Sequence, residues 1–145
     1  MGNQLGERRV AMSEAREVLE KYSVVAVVGI STNPAKAAHR IPRMLKDAGF
    51  KIIPVNPTGD EVLGQKTYPT LAAISQQVDV VDVFRPSDEA ADIARQAVEI
   101  GAKALWLQIG ITSDEARAIA EDAGLDFVEN RCMGSETRAL GITKP

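Results

Sequence analysis

The chain has 145 residues, 45% of them hydrophobic and 26% charged, with a formal net charge of −3 at pH 7. That length can bury roughly two thirds of the unfolded chain's surface, and the composition lies far from the polar, highly charged range of disordered chains. An acidic balance with interspersed signs offers no broad positive field to a nucleic acid backbone, and one cysteine with one histidine excludes an intramolecular disulfide and a Cys/His zinc cage.

Residues 1–12 carry no periodicity and are expected to form a flexible tail on a single domain spanning 1–145. With no apolar signal segment there and no bilayer-length apolar run, a reducing, cytoplasmic setting is expected. Ser13 can cap a helix that puts Ala15, Val18, Leu19 and Tyr22 on one face. Segment 24–29 is a continuous β-branched run, the pattern of a strand buried on both faces of a parallel sheet. The pattern returns at 51–55, 78–84, 104–109 and, more weakly, 125–129, giving five strands.

Amphipathic segments at 41–48, 87–100 and 112–123 end at Gly49, Gly101 and Gly124, where a helix C-terminus favours a left-handed residue. Pro42 is best tolerated in a first turn, which puts the start of its helix near 38–41. Ser87 with Asp88 and Glu89 reads as an N-cap reinforced by negative charge, and Thr112 with Glu115 as a capping box. Segment 56–77 is broken by Pro57, Gly59, Gly64 and Pro69 and is predicted to be an irregular loop with at most a short turn at 71–74. Strands alternating with helices predict an α/β, Rossmann-like, doubly wound five-stranded parallel sheet in three layers, with strand order 3-2-1-4-5.

In a sheet of that order a ligand binds beyond the carboxyl ends of the strands where the order reverses, between the first and fourth strands. One segment there is Gly29, Ile30, Ser31, Thr32, Asn33, Pro34, Ala35 and Lys36; the other is Gln108, Ile109, Gly110, Ile111 and Thr112. The first joins a strand to a helix N-terminus, so its backbone N–H groups, its hydroxyls and the cations Lys36 and Arg40 suit phosphate. The dinucleotide fingerprint G-x-G-x-x-G is missing, because Ser31 and Pro34 stand where the later glycines would be. Strand two ends in Val55, Asn56 and Pro57, with no acidic residue to hold the ribose of NAD. A neutral strand end beside Lys36 and Arg40 suits an adenosine that carries a 3′-phosphate.

The ordered set VVGIS, VNP, DVFRPS, LQIGI and NRCM, within about residues 24–140, resembles the stand-alone CoA-binding proteins of bacteria and archaea. Those are similar in turn to the CoA-binding domain of the succinyl-CoA synthetase α subunit. The resemblance implies that coenzyme A or an acyl-CoA lies across the strand ends, with its phosphates at 31–36 and its adenosine near Val55, Asn56 and Pro57. Phe84, Arg85 and Pro86 would form a wall, and Gln108, Gly110 and Ile111 would line the pantetheine side. It also implies that the chain alone ligates nothing, since the synthetases use a second domain with a phosphorylated histidine and a partner subunit. Gly134 departs from the small relatives, where a larger residue often stands.

The other reactive residues read as structural. His39 is expected to cap a helix or contact phosphate, and Cys132 to pack after strand five instead of pairing with the CoA thiol. Asp79 and Asp82 should bond a neighbouring loop or Arg85, and Trp106 and Leu107 should be core. With no paired acid and base visible, the expected function is a CoA-binding carrier, sensor or regulator with an unidentified protein target. The alternatives are an NAD(P)- or acyl-CoA-linked enzyme using Lys36, His39 or Arg85, and an interaction module that reuses the crevice for a protein. No nucleic acid or membrane partner is expected; a homodimer is compatible with the sequence, which specifies no interface for it.

Overall fold

The structure is a computed structural model and describes residues 14–145. The expected tail and the Ser13 cap lie outside the described residues. In chain order the elements are helix α1 (14–21), β1 (Val24–Val28), α2 (Ala37–Asp47), β2 (Lys51–Val55), a hairpin of β3 (Glu61–Val62) and β4 (Gln65–Lys66), β5 (Val80–Val83), α3 (Ala90–Glu99), β6 (Ala104–Leu107), α4 (Asp114–Asp122), β7 (Asp126–Val128) and α5 (Met133–Ala139). Short 3₁₀ turns stand at Leu71–Ala73, as the broken loop predicts, and at Ser87–Glu89.

The continuous apolar runs form one parallel sheet, and each run feeds two cores because successive side chains point to opposite faces. Ala26, Val81, Val83, Leu105, Leu107 and Phe127 meet α3 and α4 through Ala90, Ile93, Ala94, Ala97, Ala116 and Ala120. Val25, Val27, Val80, Ala104, Trp106 and Val128 meet α1, α2 and α5 through Ala15, Val18, Leu19, Leu45 and Met133. Helices on both faces give the expected three layers. Trp106 and Leu107 are fully buried, as expected of core. No helix among the described residues is long and apolar enough to cross a membrane.

The strand order is β2-β1-β5-β6-β7. Counting only the five strands of this sheet, that is 2-1-3-4-5, which corrects the expected 3-2-1-4-5. Pro54 supplies the reason. The N–H and C=O of a strand residue point to the same side, and the Pro54 carbonyl accepts the Tyr68 N–H at 2.9 Å on the outer side of β2. The donor that proline lacks is therefore missing from that same side, and a strand so marked belongs at a sheet margin. Tyr68, bridged to Val55, takes up what bonding the margin offers. The third strand of the sheet, β5, instead pairs with the free side of β1, from Val25↔Val80 to Val28↔Val83.

Helix α2 starts at Ala37, ahead of the predicted 38–41, so Pro42 sits inside it. Proline removes the N–H that would bond the Ala38 carbonyl, and the Ser31 N–H takes that carbonyl at 3.1 Å. The substitution of donors lets the helix run through its proline and fastens the preceding loop to its first turn. Two predicted caps shift for similar reasons. Ser113, not Thr112, caps α4, its Oγ accepting the Ala116 N–H at 3.0 Å. Ser87 does not cap α3; its Oγ accepts the N–H of Thr112 at 3.1 Å. Gly49, Gly101 and Gly124 hold positive φ of 101°, 74° and 81° at the predicted helix ends. Helix α5 was not predicted, and it explains Gly134: that residue is buried where α5 lies on α2, and a Cβ there would come within 3.1 Å of Ile41 Cγ2.

Candidate functional site

The order reversal falls between β1 and β5, one strand away from the expected junction of first and fourth strands. The crevice is consequently flanked by the loop after β1 and by Phe84, Arg85 and Pro86 after β5, with the segment from Gln108 one strand further along. Gly29 leaves β1 with φ 87°, and a Cβ on it would lie 2.8 Å from Arg85 Cδ and 3.0 Å from the Phe84 carbonyl oxygen. Only a residue without a side chain lets the two loops come this close.

The loop from Ser31 to Lys36 is built from its own polar side chains. Ser31 Oγ accepts the Asn33 N–H at 3.0 Å, and Asn33 Oδ1 accepts the Ala35 N–H at 3.0 Å. Two successive side-chain turns of this kind wind the backbone without a glycine. Thr32, Asn33, Pro34, Ala35 and Lys36 are exposed, and Lys36 stands at the N-cap position of α2 with its side chain making no cap. The N–H groups of Ala37 and Ala38 head the helix without a partner among the described residues, as first-turn donors do. The Arg40 guanidinium donates to the Ala35 carbonyl and so lies along the loop's helix side. His39 Nδ1 is 2.8 Å from the Ser31 carbonyl oxygen. Since a carbonyl only accepts, Nδ1 carries the hydrogen and the imidazole is a positioning group for the loop, in place of the helix cap or phosphate contact expected of it.

Val55 is buried, and its carbonyl accepts the Gly29 N–H at 3.1 Å. Asn56 is committed on both sides of its amide: Nδ2 donates to the Ile30 carbonyl at 2.8 Å, and Oδ1 accepts from the Thr58 N–H and hydroxyl, each at 2.9 Å. It fastens the β2 end to the β1 loop, while Pro57 is exposed on the rim. Phe84 is half-buried against the core. Arg85 is exposed and holds Glu89 through two bonds, Nε to Oε1 at 3.1 Å and Nη2 to Oε2 at 2.7 Å. Its partner is therefore Glu89 and not Asp79 or Asp82.

Gln108 corrects the expectation that its side chain lines the crevice. It is 3% exposed and its Nε2 donates to Asp82 Oδ1 at 2.7 Å inside the core. Asp82 itself is fully buried with Oδ2 unpartnered among the described residues, and burial pushes its carboxyl up to about 7 against the pull of the Gln108 and Val83 donors. Asp79 behaves as expected, its Oδ2 accepting the N–H groups of Ser23 and Val24 at the start of β1. Gly110 is exposed with φ 84°, and Ile111 packs partly into the core.

Ser87 and Ile109, together with Glu129 and Asn130, to which the sequence reading gave no role in the site, complete the rim. Ser87 ties the β5 loop to the β6 loop through Thr112. Asn130 accepts the Gly110 N–H at 2.7 Å, and Glu129 accepts the Ser113 N–H at 3.0 Å, tying the β6 loop to the β7 end. Ile109, 70% exposed between them, is a large apolar side chain left in solvent. With Asn56, every neighbouring pair of strand-end loops except the Gly29–Arg85 contact is laced by a side chain to a backbone N–H or C=O. The rim is thus a preformed shelf along the carboxyl edge of the sheet.

Comparison with known proteins identifies the family. The family model described as CoA binding domain matches residues 23–138. The chain is 36% identical over 121 residues to the uncharacterized protein YneT of Bacillus subtilis, covering 83% of this chain and 90% of that one. It is similar to the solved structure of a hypothetical protein from Pyrococcus horikoshii, with 37% identity, a TM-score of 0.85 and coverage of 89% and 91%. It is 30% identical over 122 residues to an ADP-forming acetate–CoA ligase of Archaeoglobus fulgidus, where the match takes in 81% of this chain and 18% of the ligase. The chain belongs to the CoA-binding domain family.

Proposed function

We propose that this protein binds coenzyme A or an acyl-CoA along the carboxyl edge of its sheet and acts as a non-catalytic carrier, sensor or regulatory module. The observation that carries the reading is the loop of Ser31 to Lys36 at the β1/β5 reversal. Exposed backbone donors at the start of α2, two hydroxyls and the Lys36 and Arg40 charges are gathered there within residues 31–40. That donor set fits a pyrophosphate with an additional phosphate nearby, which helix N-termini and cations stabilise together. The neutral end of β2 fits an adenosine whose ribose carries a phosphate where NAD carries a hydroxyl.

The non-catalytic part rests on how the reactive groups are committed. His39 is held by the Ser31 carbonyl, Arg85 by Glu89, and the carboxyl poised near neutrality, Asp82, is sealed in the core against Gln108. None of them forms an acid and base pair facing the crevice. The acetate–CoA ligase of Archaeoglobus fulgidus, of which the match takes in 18%, carries much more chain than this domain.

Isothermal titration of the purified chain with CoA, dephospho-CoA, NAD and NADP tests the reading. Micromolar binding of CoA, weaker dephospho-CoA and silence with NAD are expected. Preference for NAD or NADP would move the protein to the enzyme reading, and silence with all four would favour a crevice reused for a protein partner.

A further inference from the structure

At the far end of the shelf, between the β6 and β7 ends, lies a cavity of ≈ 470 Å³ bounded by Ile109 on one side and by Asn130, Arg131, Cys132 and Ser135 on the other. Its position follows from the strand order. The phosphate loop sits at the end of β1, and the β6–β7 gap is two and a half strand spacings away, about 12 Å at 4.8 Å per strand. The pantetheine arm of CoA is as long as about four residues of extended chain, roughly 14 Å. An arm laid from the β1 loop across β5 and β6 therefore ends with its sulfur over this cavity.

A bare thiol needs far less room than 470 Å³, a volume within the range of about 300–1,000 Å³ that accommodates small organic ligands. We infer that the cavity receives the acyl group of a short-chain, uncharged acyl-CoA; this rests on the coenzyme A reading above. The charges select the class. Glu129 is held by Arg117 at 2.9 Å, and Arg131 by Glu136 at 3.0 Å, so each cation near the cavity already has a carboxylate. An acyl chain ending in a carboxylate finds Glu129 and Glu136 and, among the described residues of the lining, no cation without a carboxylate partner. An uncharged chain finds the apolar Ile109 on the rim, together with the Ser135 hydroxyl and the Asn130 amide. Asn130 Oδ1 is spent on Gly110, leaving Nδ2 to donate. Asn130 is held at φ 56°, a backbone state uncommon outside glycine, and its amide is fixed by the bond from the Gly110 N–H.

The test is a titration series with CoA, acetyl-CoA, 3-hydroxybutyryl-CoA and succinyl-CoA, on the native chain and on Ser135→Phe, which fills the cavity from an exposed helix position. The hydroxybutyryl thioester should bind at least about fourfold tighter than CoA, the gain from burying roughly one methylene. Acetyl-CoA should lie between them, and succinyl-CoA should gain nothing. In Ser135→Phe the hydroxybutyryl gain over CoA should vanish, and a native urea unfolding midpoint shows that the variant folds. Thioesters no tighter than CoA, a succinyl preference, or an equal loss of CoA and thioester in the variant would each overturn the acyl assignment and leave the CoA reading standing. Failure of CoA itself to bind would overturn both.

Discussion

Asp82→Asn should make the protein more stable above neutral pH. Asp82 is fully buried in β5, paired across the sheet with Trp106, and its Oδ2 has no partner among the described residues. Burial raises its carboxyl from 3.8 to about 7, the Gln108 and Val83 donors only partly offsetting that. A carboxyl raised in the folded state keeps its proton after the unfolded chain has lost it. Stability therefore falls as pH rises from about 4 to 7, by about 1.4 kcal/mol per pH unit, and the whole loss of about 4 kcal/mol is present above 7. Asparagine keeps the acceptor for Gln108, has nearly the same shape and cannot ionise. Urea unfolding followed by the fluorescence of Trp106, the only tryptophan, between pH 4 and 8 isolates the effect, because other groups contribute alike to both proteins. The two should be similar near pH 4 and diverge to as much as about 4 kcal/mol in favour of the variant at pH 8. Parallel curves, or a variant less stable at pH 8, would refute the assignment of a raised carboxyl to Asp82.

Three further changes probe the site and its supports. Gly29→Ala forces a side chain into a φ of 87° and to within 2.8 Å of Arg85 Cδ, and should cost about 1–3 kcal/mol in urea unfolding and weaken CoA as well. Lys36→Ala with Arg40→Ala should weaken CoA by roughly tenfold to a hundredfold and dephospho-CoA less, measured by titration; equal losses would move both cations to the pyrophosphate. Ser113→Ala removes the cap on Ala116 and should lower stability by about 1 kcal/mol with CoA affinity unchanged.

What could be read from the sequence was local. The continuous β-branched runs located all five strands of the sheet, and the glycines after α2, α3 and α4 located the helix ends, because burial on two faces and a left-handed C′ residue are properties of a few adjacent residues. The phosphate loop was legible for the same reason. Strand order was not, although Pro54 carried the signal: a proline inside a buried run marks an edge strand, and its weight became clear only with Tyr68 on the outer side of β2. The start of α2 depended on a bond between Ser31 and Ala38 across the loop, which no periodicity reports. Gln108 and Asp82 come from different strands, so their union inside the core was hidden, and a polar residue after an apolar run was read as facing the crevice. Helix α5 is short and begins with Met133 and Gly134, too brief for a helical period to stand out.

The central claim is that CoA lies at the β1/β5 reversal, and amide chemical-shift mapping during a CoA titration tests it most directly. The largest changes should fall on Gly29 to Arg40 and on Phe84 to Ser87, with smaller ones at Ile109 to Ile111. Changes confined to the amino edge of the sheet or to the helix faces would contradict the account even if CoA bound.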